Sequence, residues 1–246
     1  MWYRVLASLA LVASSFAAAK VGFYSFMSRP AVDTTPAPVG PSAVCNPGRS
    51  LFNLFGPLRQ EPVEECGVRK NRQSPIDIQS DEATLAEFGH WDFQNYNRNF
   101  ETICVFNTGS TVQWVLTASH RPSVAGGGLP GRYILEHIHV HWGRVGEGGS
   151  EHTVNGERYA LEFHFVHYHE RFANFEDALA SSELDALAVL GALVEISDSY
   201  QPNPGIENLL PDFKAVEFPG TGDILPREVY NLHDLLPNDK TKFYRY

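Results

Sequence analysis

At 246 residues the chain is longer than the usual single domain of roughly 100–200 residues and short of two. With 43% hydrophobic, 12% aromatic and only 20% charged residues it can bury a large core, which excludes wholesale disorder. Its 19 basic and 29 acidic residues give a net charge of −10, and no basic stripe runs through it, so nucleic acid is not expected as a partner.

In chain order, Met1-Trp2-Tyr3-Arg4 precedes a run of apolar and small residues from Val5 to Ala19. One early positive charge, the apolar stretch and the Ala17-Ala18-Ala19 end predict a secretory signal peptide over 1–19. Apolar residues resume after Lys20, so the alternative is a retained membrane anchor extending to Met27. Either reading delivers the remainder to the secreted fraction or to the extracellular face of a membrane. Residues 28–49, with Pro36, Pro38 and Pro41, predict an extended Pro-rich linker. Residues 50–246 have the composition of one globular domain, without internal repeats.

Within that domain alternation dominates. Glu101–Phe106 and Thr111–Leu116 flank the turn-like Asn107-Thr108-Gly109-Ser110 and predict two strands around a turn. Tyr133–Trp142 and Arg158–His169 are two further strands, rich in aromatic and β-branched residues. Asn174 is the expected N-cap of a short helix reaching Leu179. Leu187–Val194 is a continuous apolar run, as in a strand buried on both faces. The expected fold is mainly β with short helices.

Histidine is the outlier of the composition: seven of the ten lie between His137 and His169. Along Glu136-His137-Ile138-His139-Val140-His141-Trp142, strand alternation puts His137, His139 and His141 on one face. Along Leu161-Glu162-Phe163-His164-Phe165-Val166-His167, one face carries Glu162, His164 and Val166. If the two strands pair antiparallel, three imidazoles converge, and three neutral nitrogens with one open position make a catalytic zinc site. No thiolate lies in the cluster, which disfavours a structural Cys-type site. A lone strand histidine is usually a surface or hydrogen-bonded core residue. On that ground His90, His120 and His233 are expected at the surface, and His167 and His169, on the face opposite His164, are expected to pack or hydrogen-bond.

Five segments then carry a specific resemblance: Gln73-Ser74-Pro75-Ile76-Asp77-Ile78, His139-Val140-His141-Trp142-Gly143, Ser150-Glu151-His152-Thr153-Val154, Glu162-Phe163-His164-Phe165-Val166-His167 and Leu187-Ala188-Val189-Leu190-Gly191. In order and spacing the chain resembles the α-class carbonic anhydrases from about Cys66 to Tyr246. The resemblance implies a large, twisted, mostly antiparallel central sheet and a zinc ion held by His139, His141 and His164. It implies that Glu162 accepts the second ring N–H of His164, and that His137, where the family usually has Gln, serves His139. It further implies that Glu151 orients the reacting oxygen through a threonine, and that Val166 and Val189 form the apolar wall for carbon dioxide. The implied reaction is zinc-dependent, reversible hydration of carbon dioxide to bicarbonate.

Two departures bear on that reaction. The position at which the family's most active members carry a histidine proton shuttle is Ser110, which does not exchange protons near neutral pH. The sequence also ends at Tyr246, before the family's Leu-Thr-Thr-Pro-Pro motif and the cysteine expected to pair with Cys66. The resemblance therefore predicts missing carboxy-terminal strands, an unpaired sheet edge and impaired activity. The alternative function is a non-catalytic, carbonic-anhydrase-related binding module. A zinc hydrolase of another kind is disfavoured, because no H-E-x-x-H helix is present.

Overall fold

The strands follow from the alternation of apolar and polar residues, and their pairing follows from which faces must be buried. The computed structural model describes residues 2–12, 74–98, 100, 102–144, 147–197, 202–225 and 231–246. Its strands are β1 (Trp2–Val12), β2 (Asp77–Ile78), β3 (Trp91–Gln94), β4 (Thr102–Asn107), β5 (Val112–Thr117), β6 (Ser123–Gly126) and β7 (Tyr133–Trp142). They continue with β8 (Thr153–Val154), β9 (Glu157–Arg158), β10 (Leu161–His169), β11 (Leu187–Ser197), β12 (Gly222–Leu225) and β13 (Phe243–Arg245). Two α-helices, α1 (Phe175–Ala180) and α2 (Pro204–Ala215), and a 3-10 turn at Leu232–Leu235 complete the described elements.

Among the described residues, the main sheet runs β12-β4-β5-β7-β10-β11-β1-β13, with β6 pairing β7 and β3 pairing β6. Nearly all pairings are antiparallel; within this sheet only β1 and β13 run parallel. The mainly β, mostly antiparallel sheet with short helices is the architecture the sequence predicts. Strand β7 coincides with the expected Tyr133–Trp142, and α1 is capped as expected, with the Asn174 side chain accepting from the Asp177 amide. The expected strand Arg158–His169 is instead divided. Arg158 belongs to the two-residue β9, whereas β10 begins at Leu161.

The predicted bare edge is not found at β11. Strand β1 pairs antiparallel along it from Trp2↔Ser197 to Val12↔Val189, with a register shift between Val5 and Leu9, and β13 pairs with the far side of β1. Backbone donors and acceptors that a bare strand would present to other chains are thereby engaged. Of the expected leader or anchor, only Trp2–Val12 falls within the described residues, and the linker 28–49 lies outside them. No helix among the described residues is long and apolar enough to cross a membrane.

One face of the sheet is packed by Trp114, Ile138, Val140, Phe163, Phe165 and Leu190, against α2 and the 3-10 turn. Trp114 donates its indole N–H to the buried Asp212 carboxylate on α2, 2.8 Å away, which fixes the helix on the sheet. A smaller cluster of Val166, Tyr168, Phe175, Ala178, Leu187 and Val189 packs α1 onto β10 and β11. Cys104 on β4 is buried and disulfide-bonded, a pairing the sequence does not reveal.

Candidate metal centre

Register does the work of assembly. Strands β7 and β10 pair antiparallel with His139 directly opposite His164 and Glu162 opposite His141. Opposed side chains stand about 4.5–5.5 Å apart at Cβ, and residues two apart share a face, so all four groups meet on one side of the sheet. The three rings are mutually adjacent, with centroids 5.0 Å apart for His139–His141, 5.0 Å for His139–His164 and 4.9 Å for His141–His164. Nδ1 of His164 lies 3.1 Å from Nε2 of His139. Two nitrogens bound tetrahedrally at zinc's usual bond length stand about 3.3 Å apart, so this spacing fits a shared ion.

The hydrogen bonds point to the same use. Nε2 of His141 is buried without a hydrogen-bond partner, and the Glu151 carboxylate lies 3.3 Å from it. That carboxylate also lies 3.9 Å from Nδ1 of His164. A buried imidazole nitrogen left without a partner is costly in a folded protein unless something occupies its lone pair. On its far side, Nε2 of His164 meets Glu162 Oε1 at 2.7 Å. Glu162 is fully buried, and its second oxygen accepts the backbone amides of Glu151 and His152 at 2.8 and 2.9 Å.

These contacts set the charge states. Burial alone would raise the Glu162 carboxyl, but the charge on His164 and the hydrogen bonds from His152 and His164 hold it well below the usual carboxylate range. Burial pushes His139 well below the ordinary imidazole value and lowers His141 to about 3, so both rings stay neutral. Burial lowers His164 too, but Glu162 and Glu151 outweigh it and raise the group. Glu151 is raised, chiefly by burial. The set is three imidazoles with one anionic partner behind them, which is the donor chemistry of a zinc site with an open position.

The other expected residues are distributed around this centre. Val166 and Val189 face each other across β10 and β11, both buried beside Phe175. His137 is buried opposite Val166, stacks on His139 with centroids 5.3 Å apart, and has no hydrogen-bond partner at Nδ1. Ser110 stands in the β4–β5 turn, its hydroxyl 3.2 Å from that of Thr108 and three residues before Gln113, which pairs with His139. His167 packs as expected, buried with Nε2 2.6 Å from the Tyr96 hydroxyl. His90 and His120 are exposed, but His233 is partly buried against the rings of Phe93 and Tyr96, a correction to its expected surface position.

Sequence reasoning gives no role to His152 or Tyr246. His152 Nδ1 meets Glu162 Oε1 at 2.6 Å, and Nε2 meets the Tyr246 hydroxyl at 2.5 Å. The loop that carries His152 is drawn tightly under the end of β7. A Cβ on Gly149 would sit 2.1 Å from the Gly143 amide nitrogen, so only glycine fits there. Although His152, Glu162 and His164 form a second group with metal-ligand spacing, their hydrogen bonds to one another already use the nitrogens involved.

Comparison with known proteins agrees with this geometry. The family model for eukaryotic-type carbonic anhydrase matches residues 59–246. Carbonic anhydrase 6 of Bos taurus is 34% identical over 185 residues, covering 74% of this chain and 55% of that protein. Carbonic anhydrase 4 of Oryctolagus cuniculus is 34% identical over 200 residues, covering 80% and 61%. Carbonic anhydrase 12 of Homo sapiens is 33% identical over 217 residues, covering 84% and 57%. The chain thus spans little more than half the length of these curated relatives. Sheet, histidine cluster and sequence agree, and the chain belongs to the eukaryotic-type carbonic anhydrase family.

Proposed function

We propose that the protein catalyses the zinc-dependent, reversible hydration of carbon dioxide to bicarbonate. The observation that carries this reading is the convergence of His139, His141 and His164, with one imidazole nitrogen left unpartnered in a buried site. Bound there, zinc would supply a water acidified to near neutrality as the nucleophile and polarise the substrate. The three imidazoles hold the ion, and Glu162 fixes the ring of His164 by accepting its Nε2–H. Glu151, beside His141 and His164, belongs to the network that orients the reacting oxygen through a threonine. Val166 and Val189 supply an apolar surface on which carbon dioxide rests without competing hydrogen bonds.

Turnover is slow in this reading, because Ser110 stands where a proton-exchanging histidine would serve, and loss of a general acid–base group costs about 10²–10⁴ in rate. The arrangement we propose for the whole chain is a leader over 1–19, or an anchor extending to residue 27, then the linker 28–49 and the catalytic domain 50–246; in either role Trp2–Val12 would leave the edge of β11 that it covers in the structure. That places the enzyme in the secreted fraction or on the extracellular face of a membrane. Stopped-flow hydration of carbon dioxide by the zinc-loaded chain tests the activity. Hydration that a chelator abolishes and added zinc restores is the expected result, and a rate equal to buffer alone would refute the proposal.

A further inference from the structure

Strand β1 is held between two walls. Leu9, Ala10 and Leu11 pair with Ala192, Gly191 and Leu190 of β11 on one side and with Phe243, Tyr244 and Arg245 of β13 on the other. Neighbouring strands lie about 4.8 Å apart, so β11 and β13 are separated by roughly 10 Å, the room one strand needs. Each wall is held by contacts that do not involve β1. Along its other edge β11 pairs with β10 from Tyr168↔Leu187 to Leu161↔Val194, and Leu187–Val194 are buried. Strand β13 is pinned by rings: Phe243 packs on Trp91 at 4.8 Å and on Phe88 at 5.8 Å, and the Arg245 guanidinium lies over Phe88 at 5.3 Å.

We propose that the gap between β11 and β13 is a strand-binding site for an extended apolar peptide running antiparallel to β11, and that Trp2–Val12 is its occupant in the full chain. Affinity in such a site comes from the backbone, because one incoming strand satisfies N–H and C=O groups on two neighbours at once. The occupant suits it: Val5–Val12 contains no charge, proline or glycine, so nothing in it breaks a ladder. The sheet edge of a second copy does not fit, because β13 closes the far side and leaves room for one strand. Across the sheet Ala10, Gly191, His164 and His139 are successive Cα partners, so the site lies in register with the candidate centre. Residues 13–73 separate β1 from the next described segment, so the occupant is a tethered ligand. A tether of that length gives an effective concentration on the order of mM or below, which a free peptide can match. A leader or anchor that withdraws Trp2–Val12 leaves the same site open to such a peptide.

The test compares the full chain with its Ala10→Pro, Leu11→Pro double variant. Successive residues of a strand direct their N–H groups to opposite edges, so the two prolines remove one donor toward β11 and one toward β13. Amide hydrogen exchange read by NMR should show all of Val189–Val194 protected in the unsubstituted chain. In the double variant alternate amides, those facing the site, should exchange on the order of 10-fold faster or more. A synthetic Trp2–Val12 peptide at about mM concentration should restore their protection, and the same peptide carrying both prolines should not. Alternate amides that exchange freely in the unsubstituted chain would overturn the proposal, whether or not the variant folds. So would a folded variant whose amides the peptide leaves unprotected. A second measurement needs no variant: a Trp2–Val12 peptide with a nitroxide label at its amino terminus is added in excess to the unsubstituted chain. Displacement of β1 should broaden amide signals near Ser197 and spare those near Val189, following the observed register. No broadening, or broadening at the Val189 end, would also overturn the proposal.

Discussion

Nδ1 of His164 lies 3.1 Å from Nε2 of His139, although the two residues are 25 positions apart in the chain. The approach is produced by register: His139 and His164 are Cα partners in the β7–β10 ladder, and a slip by one residue would send one of them to the opposite face. The metal reading depends on that pairing, and several consequences can be measured.

Glu162→Gln should weaken zinc binding by about 10–100-fold. The substitution keeps the shape of the side chain but replaces one carboxylate oxygen with an NH2 donor, which must face either the two imidazoles now bonded to Oε1 or the Glu151 and His152 amides now donating to Oε2. A zinc competition assay checks this, and an affinity equal to that of the unsubstituted chain would count against the role of Glu162.

Ser110→His should raise hydration at low buffer concentration by roughly 10-fold or more, because it restores a group able to exchange protons near neutral pH. The same substitution should weaken the dependence of the rate on added buffer. Stopped-flow rates across a buffer series make the comparison. A variant as slow and as buffer-dependent as its parent would show that proton transfer does not limit turnover.

Acid should destabilise the metal-free protein. Burial lowers His137, His141 and His167 to about 3 and holds His139 well below the ordinary imidazole value, whereas an unfolded imidazole titrates near 6.5. The unfolded state therefore binds more protons in this window. The stability these groups contribute is fully present above about 6.5 and is lost as pH falls toward about 3. His164 and Glu151 are raised and act in the opposite sense, but they are two groups against four. Thermal melts of metal-free protein across this range should show a melting temperature that declines with pH, and a flat profile would contradict the buried, neutral assignment.

Asp212→Ala should cost about 1–3 kcal/mol, since it strands the buried indole N–H of Trp114. Denaturant unfolding gives the number, and an unchanged midpoint would mean that the Trp114–Asp212 bond does not hold α2 to the sheet.

What the sequence disclosed, it disclosed where pattern is long and regular. Tyr133–Trp142 alternates over ten residues and is observed with those ends, and the apolar run from Leu187 is a strand buried on both faces. The histidine triad was legible because its members sit at strand spacing. Helix α2 was not, since Pro211 lies inside it and proline argues against a helix interior. Its Asn203 cap and its buried Ile206 and Leu209 outweigh that cost. Strands β3, β6 and β12 are four residues each, too short for alternation to stand out. The pairing of β1 with β11 was hidden because an apolar amino terminus reads as a leader from composition alone. His152 reaches Glu162 from a loop, and no periodicity of the sequence points it there.

The most direct test of the account is zinc stoichiometry by native mass spectrometry, run on the unsubstituted chain and on His164→Ala. One zinc per chain is expected in the first and little or none in the second, because removing one of three ligands leaves an incomplete donor set. A His164→Ala protein that still carried a full equivalent of zinc would contradict it.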